Sequence, residues 1–484
     1  MIRATTRRPH RPTTRAARPV LIASVAGAGL LGGLVLLGAG MADAQDAPNP
    51  SLTLSFGSSL NIDDNKGLDP VSAGTTTNFD NSIGLNYLSE TATSAFGLGL
   101  NGVLRFADES GTGRTTGFED PAVRLSYSRS GANSQLSLGT SYRESDVSFF
   151  DPLGLIDTPD VPVDTGDLST SGTGTRADST FDLRLETGLE GPLGLSFGLN
   201  KRTRDFTDTT DPDYYDTDTT NMSLAATLRF SARTSTSLTL SRSEYDAEDP
   251  EQTFRRTDRV SLGVTHALAP DLSLTASLGQ SQVDVDETVG LVTTRRSNDG
   301  LTANLGLTRE LANGTVGMAL NQNLSIDGTR TDLTVSRSME LPTGALDVTL
   351  GATQSPGGDE TWIGSLGYSH ALPRGSINAS LNRSGGTNSA DEDVTTTRAR
   401  LGWSHDLTPA TGIDVSIDYL AVDSTVPGDD RSRTRMRLAY TWDLPQDWQL
   451  SGGYTRTDSR REGSSSAESN LLFLSLQRSL TFAP

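Results

Sequence analysis

The sequence predicts an all-β fold: a closed antiparallel transmembrane β-barrel of about 22 strands (20–22), with no plug domain. Three observations point there. Apolar and polar residues alternate along almost the whole chain after residue 50. The connections between the alternating segments are short at one end and mostly long at the other. The mean hydropathy is −0.35, with 34% apolar residues. That excludes a bundle of apolar helices, each needing a run of about 20 residues. It is compatible with a barrel, in which only every second residue meets lipid.

The N-terminal segment comes first. Residues 1–19 carry Arg3, Arg7, Arg8, Arg11, Arg15 and Arg18 and no acid. Val20 to Met41 is then apolar and small, and Ala42-Asp43-Ala44 ends the run. A basic start, an apolar stretch and a small-residue cleavage site make a secretory signal over 1–44, cut after Ala44, with Ala42 and Ala44 as the cleavage residues. The apolar run is also long enough for an uncleaved anchor helix. Residues 45–50 read as a short lead, and 51–484 as the barrel.

Within the barrel the period is two. Ile413, Val415, Ile417, Tyr419 and Ala421 alternate with Asp414, Ser416, Asp418 and Leu420. Leu472, Leu474, Leu476, Leu480 and Phe482 share one parity, interrupted by Arg478. A strand sends successive side chains to opposite faces, so each segment has one apolar and one polar face. About 22 such segments of roughly 9–13 residues can be placed, from Leu52 to Phe482. Short turns such as Ala312-Asn313-Gly314 and Pro373-Arg374-Gly375 follow the even segments. They carry the residues that turns favour. Longer, acidic stretches such as Asn61–Thr77, Arg143–Asp178, Thr203–Thr220 and Asp423–Ser432 follow many of the odd ones. A motif recurs before the short turns, as in Thr265-His266-Ala267-Leu268, Ser369-His370-Ala371-Leu372 and Ser404-His405-Asp406-Leu407. This is hairpin-scale repetition. In lipid an open sheet edge leaves backbone groups unsatisfied, so the sheet is expected to close.

Composition removes several functions. There is no Cys, which excludes a disulfide scaffold and a Cys-ligated metal centre. The formal net charge is −20, which argues against a nucleic-acid partner. Aromatic residues fall near strand ends on the apolar parity. Tyr87, Tyr127, Trp403, Trp442, Trp448 and Phe482 lie toward the short turns, and Phe79, Phe106, Tyr142, Tyr419 and Tyr454 toward the long loops. These are two expected interfacial girdles.

On these features the chain resembles the bacterial outer-membrane β-barrel proteins as a broad class, over nearly all of residues 51–484. The resemblance implies the outer membrane as location and lipid and lipopolysaccharide as surroundings. Leu472 to Phe482 looks like the C-terminal segment through which that class engages its assembly machinery, although Ala483-Pro484 follow it here. The strand count is similar to that of TonB-dependent transporters, without the N-terminal plug of those proteins. Oligomeric state is not legible.

The polar parity carries charge. Arg398, Arg400, Asp414, Asp418, Arg435 and Arg437 are the expected pore-lining residues. Register arithmetic across Asp423–Ser432 sets Asp418 opposite Arg437, with Arg400 diagonal to it. This group could tune ion passage or be plain cross-strand pairing. Arg143–Asp178 is the longest loop, and it holds Phe149, Phe150, Leu153 and Leu155. By rank and length it is similar to the third external loop of general porins, which folds inward and narrows the channel. The alternative is a loop that stays outside. Arg242 lies on the apolar parity near the long loops, where it is expected to snorkel. Asp208, Asp211, Asp213, Asp216 and Asp218 crowd one outer loop, and Asp157, Asp160, Asp164 and Asp167 another. They suggest mild cation enrichment at the mouth. Their spacing supports no calcium loop.

No enzyme is expected. His266, His370 and His405 occupy a slot that Arg309, Met339 and Trp442 fill elsewhere, so the slot selects for an interfacial side chain and not for a base. No cofactor is implied. The expected function is a porin-like channel for passive diffusion of small polar solutes or ions. The alternatives are a conduit or structural partner in polymer or protein export, and a surface receptor or adhesin working through its acidic loops.

Overall fold

The computed structural model describes residues 49–482, other than 111–112, 150, 158–167, 169–173, 210–213, 389–392, 426–427 and 429. The signal segment with Ala42 and Ala44 lies outside the described residues, as do Phe150, Asp160, Asp164, Asp167, Asp211 and Asp213. The described chain forms one sheet of 22 antiparallel strands. The first eight are β1 (Asn49–Asp63), β2 (Thr76–Glu90), β3 (Ser94–Glu109), β4 (Gly113–Ser130), β5 (Ser134–Asp146), β6 (Thr175–Thr187), β7 (Leu193–Thr207) and β8 (Thr217–Ser231). The next seven are β9 (Thr234–Ala247), β10 (Phe254–Ala269), β11 (Leu272–Val289), β12 (Val292–Leu311), β13 (Gly314–Ser325), β14 (Gly328–Leu341) and β15 (Gly344–Gln354). The last seven are β16 (Glu360–Leu372), β17 (Gly375–Thr387), β18 (Asp393–Thr408), β19 (Thr411–Ser424), β20 (Arg431–Leu444), β21 (Trp448–Arg461) and β22 (Ala467–Phe482). Every strand pairs with its neighbours in sequence, and β1 pairs with β22 from Leu52↔Phe482 to Asp63↔Leu471. That last pairing closes the barrel and removes both sheet edges.

The structure lengthens the expected strands. They run from 11 residues (β15) to 20 (β12), against the 9–13 read from the sequence. The reason is physical. Alternation is imposed by lipid and fades where a strand leaves the bilayer, while the hydrogen-bonded ladder continues. So β5 runs to Asp146 and β6 starts at Thr175, both inside the stretch read as loop. β1 likewise starts at Asn49, inside the stretch read as a lead. Not every outer connection is long: Gly290-Leu291 and Ile326-Asp327 are two-residue turns at that end.

The two faces are chemically distinct. Leu262, Leu278, Leu301 and Leu350 project outward in mid-strand, each more than half exposed, as does Trp362 nearer the long loops. Such exposure is costly in water and favourable in hydrocarbon. We therefore expect opposite outcomes from adjacent residues. Leu278→Arg, on the lipid face, should cost about 2–4 kcal/mol, and Ser277→Arg, facing the lumen, close to nothing. Urea titration of refolding into phospholipid vesicles measures both. Equal costs would mean the faces are assigned wrongly.

Local sequence explains the tight end. Gly375 has φ 135°, and a side chain there would collide with the Ser404 carbonyl of the next strand, so only glycine closes that turn. Pro121 lies within β4, where the β3–β4 register shifts between Asn101 and Val103. A bulge tolerates the missing N–H. The repeated slot before the turns places His266, His370 and His405 on the outer face of the wall. His370 stacks on Tyr368 with centroids 6.1 Å apart, and His405 on Trp403 at 5.7 Å. Thr234 Oγ1 meets His266 Nδ1 at 2.9 Å. Arg309, in the same slot, donates to Asp271 at 2.9 Å, which holds that turn carboxyl below its usual range. Arg242, expected to snorkel, has a partner that the sequence reading did not foresee. It is paired with Asp258 of the adjacent strand at 2.6 Å, because the register sets the two directly opposite.

Candidate functional site in the lumen

The described parts of the connection from β5 to β6 leave the wall and pack inside the barrel. Val147–Phe149 and Pro152–Asp157 form two short 3-10 turns. Phe149 lies between the Arg105 guanidinium, 3.7 Å from its ring centroid, and the Lys66 ammonium. Arg105 is itself buried on β3 and bonded to Asp80 at 3.0 Å and Asp120 at 2.8 Å. Burial lowers the pKa of Lys66, in the β1–β2 connection, while Glu109 at 3.1 Å opposes that shift.

Further along, Leu153 is fully buried, and it clusters with Ile156, Leu168 and the inward-facing Val394, Leu420 and Val422 of β18 and β19. β5 and β19 are eight strands apart by the shorter way round, through β1 and β22 (four steps from β5 to β1, one to β22, three to β19). At about 4.8 Å per strand that is roughly 38 Å of wall. A segment rooted at β5 and seated on β19 therefore bridges the lumen.

Polar contacts fix the seat. Asp418 of β19 is 2% exposed. Arg400 Nε reaches its Oδ1 at 2.6 Å, and Arg435 Nη2 its Oδ2 at 2.8 Å. Arg435 also pairs with Asp151 of the connection. Arg433 Nη2 donates to the Leu168 carbonyl at 3.2 Å. The expected partner of Asp418 needs correction. The register sets Asp418 opposite Arg400 on one side and Arg435 on the other, while Arg437 faces Ser416. β19 extends to Ser424, and its turn is closed by the Ser424 N–H donating to Asp430 at 2.8 Å, which moves the pairing by two residues from the arithmetic. Arg437 instead stacks over Phe473 at 4.4 Å, and Asp414 lies lower on the same face, exposed. Arg398 is buried opposite Leu420.

The structure thus brings Arg400, Asp418 and Arg435 together with Asp151 and Leu153, and leaves Asp414 and Arg437 apart from them. Leu155 falls within the second 3-10 turn. Sequence reasoning missed Val394, Leu420 and Val422, the apolar seat. The available signal was three apolar residues on the parity that otherwise carries charge. Among the described residues no group of three or more His, Asp or Glu is placed to hold a metal.

No protein-family model and no curated protein matches the sequence. Solved structures do match in fold. One is the ferric-catecholate import receptor Fiu from E. coli K12, with a TM-score of 0.55, 11% identity, and coverage of 88% of this chain and 81% of that one. Another is the FrpB iron transporter from Neisseria meningitidis, at 0.53 and 10%, covering 89% and 82%. The siderophore receptor PiuA from Acinetobacter baumannii gives 0.51 and 10%, covering 89% and 82%. These are receptors and transporters, not enzymes.

Proposed function

Starting from a 22-stranded barrel of the bacterial outer membrane, we propose that this chain passes small polar solutes or ions across that membrane by passive diffusion, through a lumen narrowed by its own β5–β6 connection. The observation that carries this reading is the seat of Leu153 on Leu420 and Val422, locked by the Asp151–Arg435 pair. On this reading Phe149 and Leu153 form the constriction. Arg398, Arg400, Asp414, Asp418, Arg435 and Arg437 line the wall beside and below it. The connection takes the place of a separate plug. Charged groups at a narrowing select among solutes by charge as well as by size. Leu472 to Phe482, in the strand that completes the closing seam, is the segment we assign to the assembly machinery.

Deletion of residues 150–170 tests the reading. Single-channel conductance of the refolded protein in a planar bilayer should rise; an unchanged value ends the constriction. A second reading, uptake of a metal chelate, is favoured by the fold shared with iron and siderophore receptors. Absence of ion current together with tight binding of a ferric catecholate would favour it.

A further inference from the structure

Below the root of the β5–β6 connection the inner wall is basic. Five arginines, Arg124, Arg143, Arg176, Arg202 and Arg204, line one recess on β4 to β7, and the same recess holds a single carboxylate, Asp178. Asp178 is already taken. Arg176 reaches it at 2.7 and 3.1 Å, and Arg204 at 3.4 Å. Among the described residues Arg124, Arg143 and Arg202 have no ion pair and no side-chain hydrogen bond. Asp182, one row below Thr180 on this face, accepts from Asn200 at 2.6 Å.

The register arranges the three unpaired groups around a polar floor. Arg124 faces Ser141 on β5, Ser141 faces Thr180 on β6, and Thr180 faces Arg202 on β7. The two hydroxyls between them are bonded to each other at 2.7 Å. Three strand spacings separate Arg124 from Arg202, about 14 Å between Cα atoms. Two extended arginine side chains close most of that gap. Arg143 stands one row above, next to the saturated Asp178. Three cations gathered in one recess without a counter-ion favour an anion that all three can share.

We propose that this bay is a binding station for small organic anions carrying two or more carboxylate or phosphate groups. The proposal deepens the transport reading and rests on it for the route by which such a solute arrives. It also qualifies the cation enrichment expected of the acidic outer loops, because the wall of this bay has the opposite balance. A planar guanidinium matches a carboxylate or phosphate with two parallel hydrogen bonds, so three of them discriminate by the number of acidic groups and not by charge alone.

Calorimetric titration of the full chain, refolded in detergent at fixed ionic strength, tests it with two probes, citrate and inorganic phosphate. Citrate should bind, and more tightly than phosphate. The double variant Arg124→Ser/Arg202→Ser should weaken citrate binding by at least about tenfold. Arg184→Ser, lower on β6 and paired with Glu186, should leave it unchanged. No citrate binding, equal affinity for both probes, or equal affinity in the double variant overturns the proposal. If the double variant fails to form the barrel, Arg143→Ser alone carries the test under the same criteria. Planar-bilayer current from the same preparations separates the two claims. Citrate binding without current keeps the station and removes the channel. Current without citrate binding keeps the channel and removes the station.

Discussion

Asp418→Ala lowers the stability of the barrel by about 3 kcal/mol, read as a shift in the urea midpoint of refolding into phospholipid vesicles. Asp418 is the shared counter-ion of Arg400 and Arg435, and it is almost wholly shielded from water. Removing it leaves two guanidiniums facing each other with no carboxylate between them. Arg400 and Arg435 keep 31% and 23% side-chain exposure, so water softens the loss, and the figure is set at the low end of the range for broken buried pairs. The triple change Arg400→Met/Asp418→Leu/Arg435→Met is the control. It removes all the charges together and should recover most of the stability, since the cost comes from unpaired ions and not from the missing bridge. A triple variant as unstable as Asp418→Ala would mean the site is held by shape and not by charge.

Leu153→Asp releases the β5–β6 connection from its seat and leaves the wall intact. Leu153 has no exposed surface and contributes to no strand pairing. Losing its burial against Leu420 and Val422 is worth about 3 kcal/mol, and the introduced carboxylate would have to be desolvated as well. At 1.4 kcal/mol per factor of ten, the released population rises by about a hundredfold or more. Limited proteolysis reports that population when opening is fast relative to cleavage. The expected result is a connection cut about a hundred times faster, with the urea midpoint of the barrel unchanged. An unchanged cutting rate would sink the docking.

How much of this could be read in advance follows from which physical constraint writes on the sequence. Lipid writes on every second residue, so the count of about 22 alternating segments from Leu52 to Phe482 matches the 22 observed strands. Nothing equivalent marks the parts of the strands beyond the bilayer. There Ala421-Val422-Asp423-Ser424 reads as a fading pattern, and the register of Asp418 came out two residues away from its place. The same blindness hid the basic bay. Arg143, Arg176 and Arg204 sat in stretches taken for loops, although their parity continues that of Ser141, Thr180 and Arg202 without a break. The docking of the connection was half legible. Apolar residues stranded in a loop were visible, but the matching patch required knowing that a segment rooted at β5 reaches Leu420 and Val422 on β19, which is a property of topology and not of local pattern.

The seam between the first and last strands has a consequence for how the molecule is made. Every other ladder joins segments that are consecutive along the chain, so each forms with modest loop-closure entropy as soon as its second half is present. The Leu52↔Phe482 to Asp63↔Leu471 ladder alone spans more than 400 residues, and it waits for the final segment. Until then the nascent ribbon carries two unsatisfied flanks that can recruit a foreign strand. The decisive event in biogenesis is therefore a single zippering step at the end, and whatever chaperones this polypeptide must guard those two flanks until it happens.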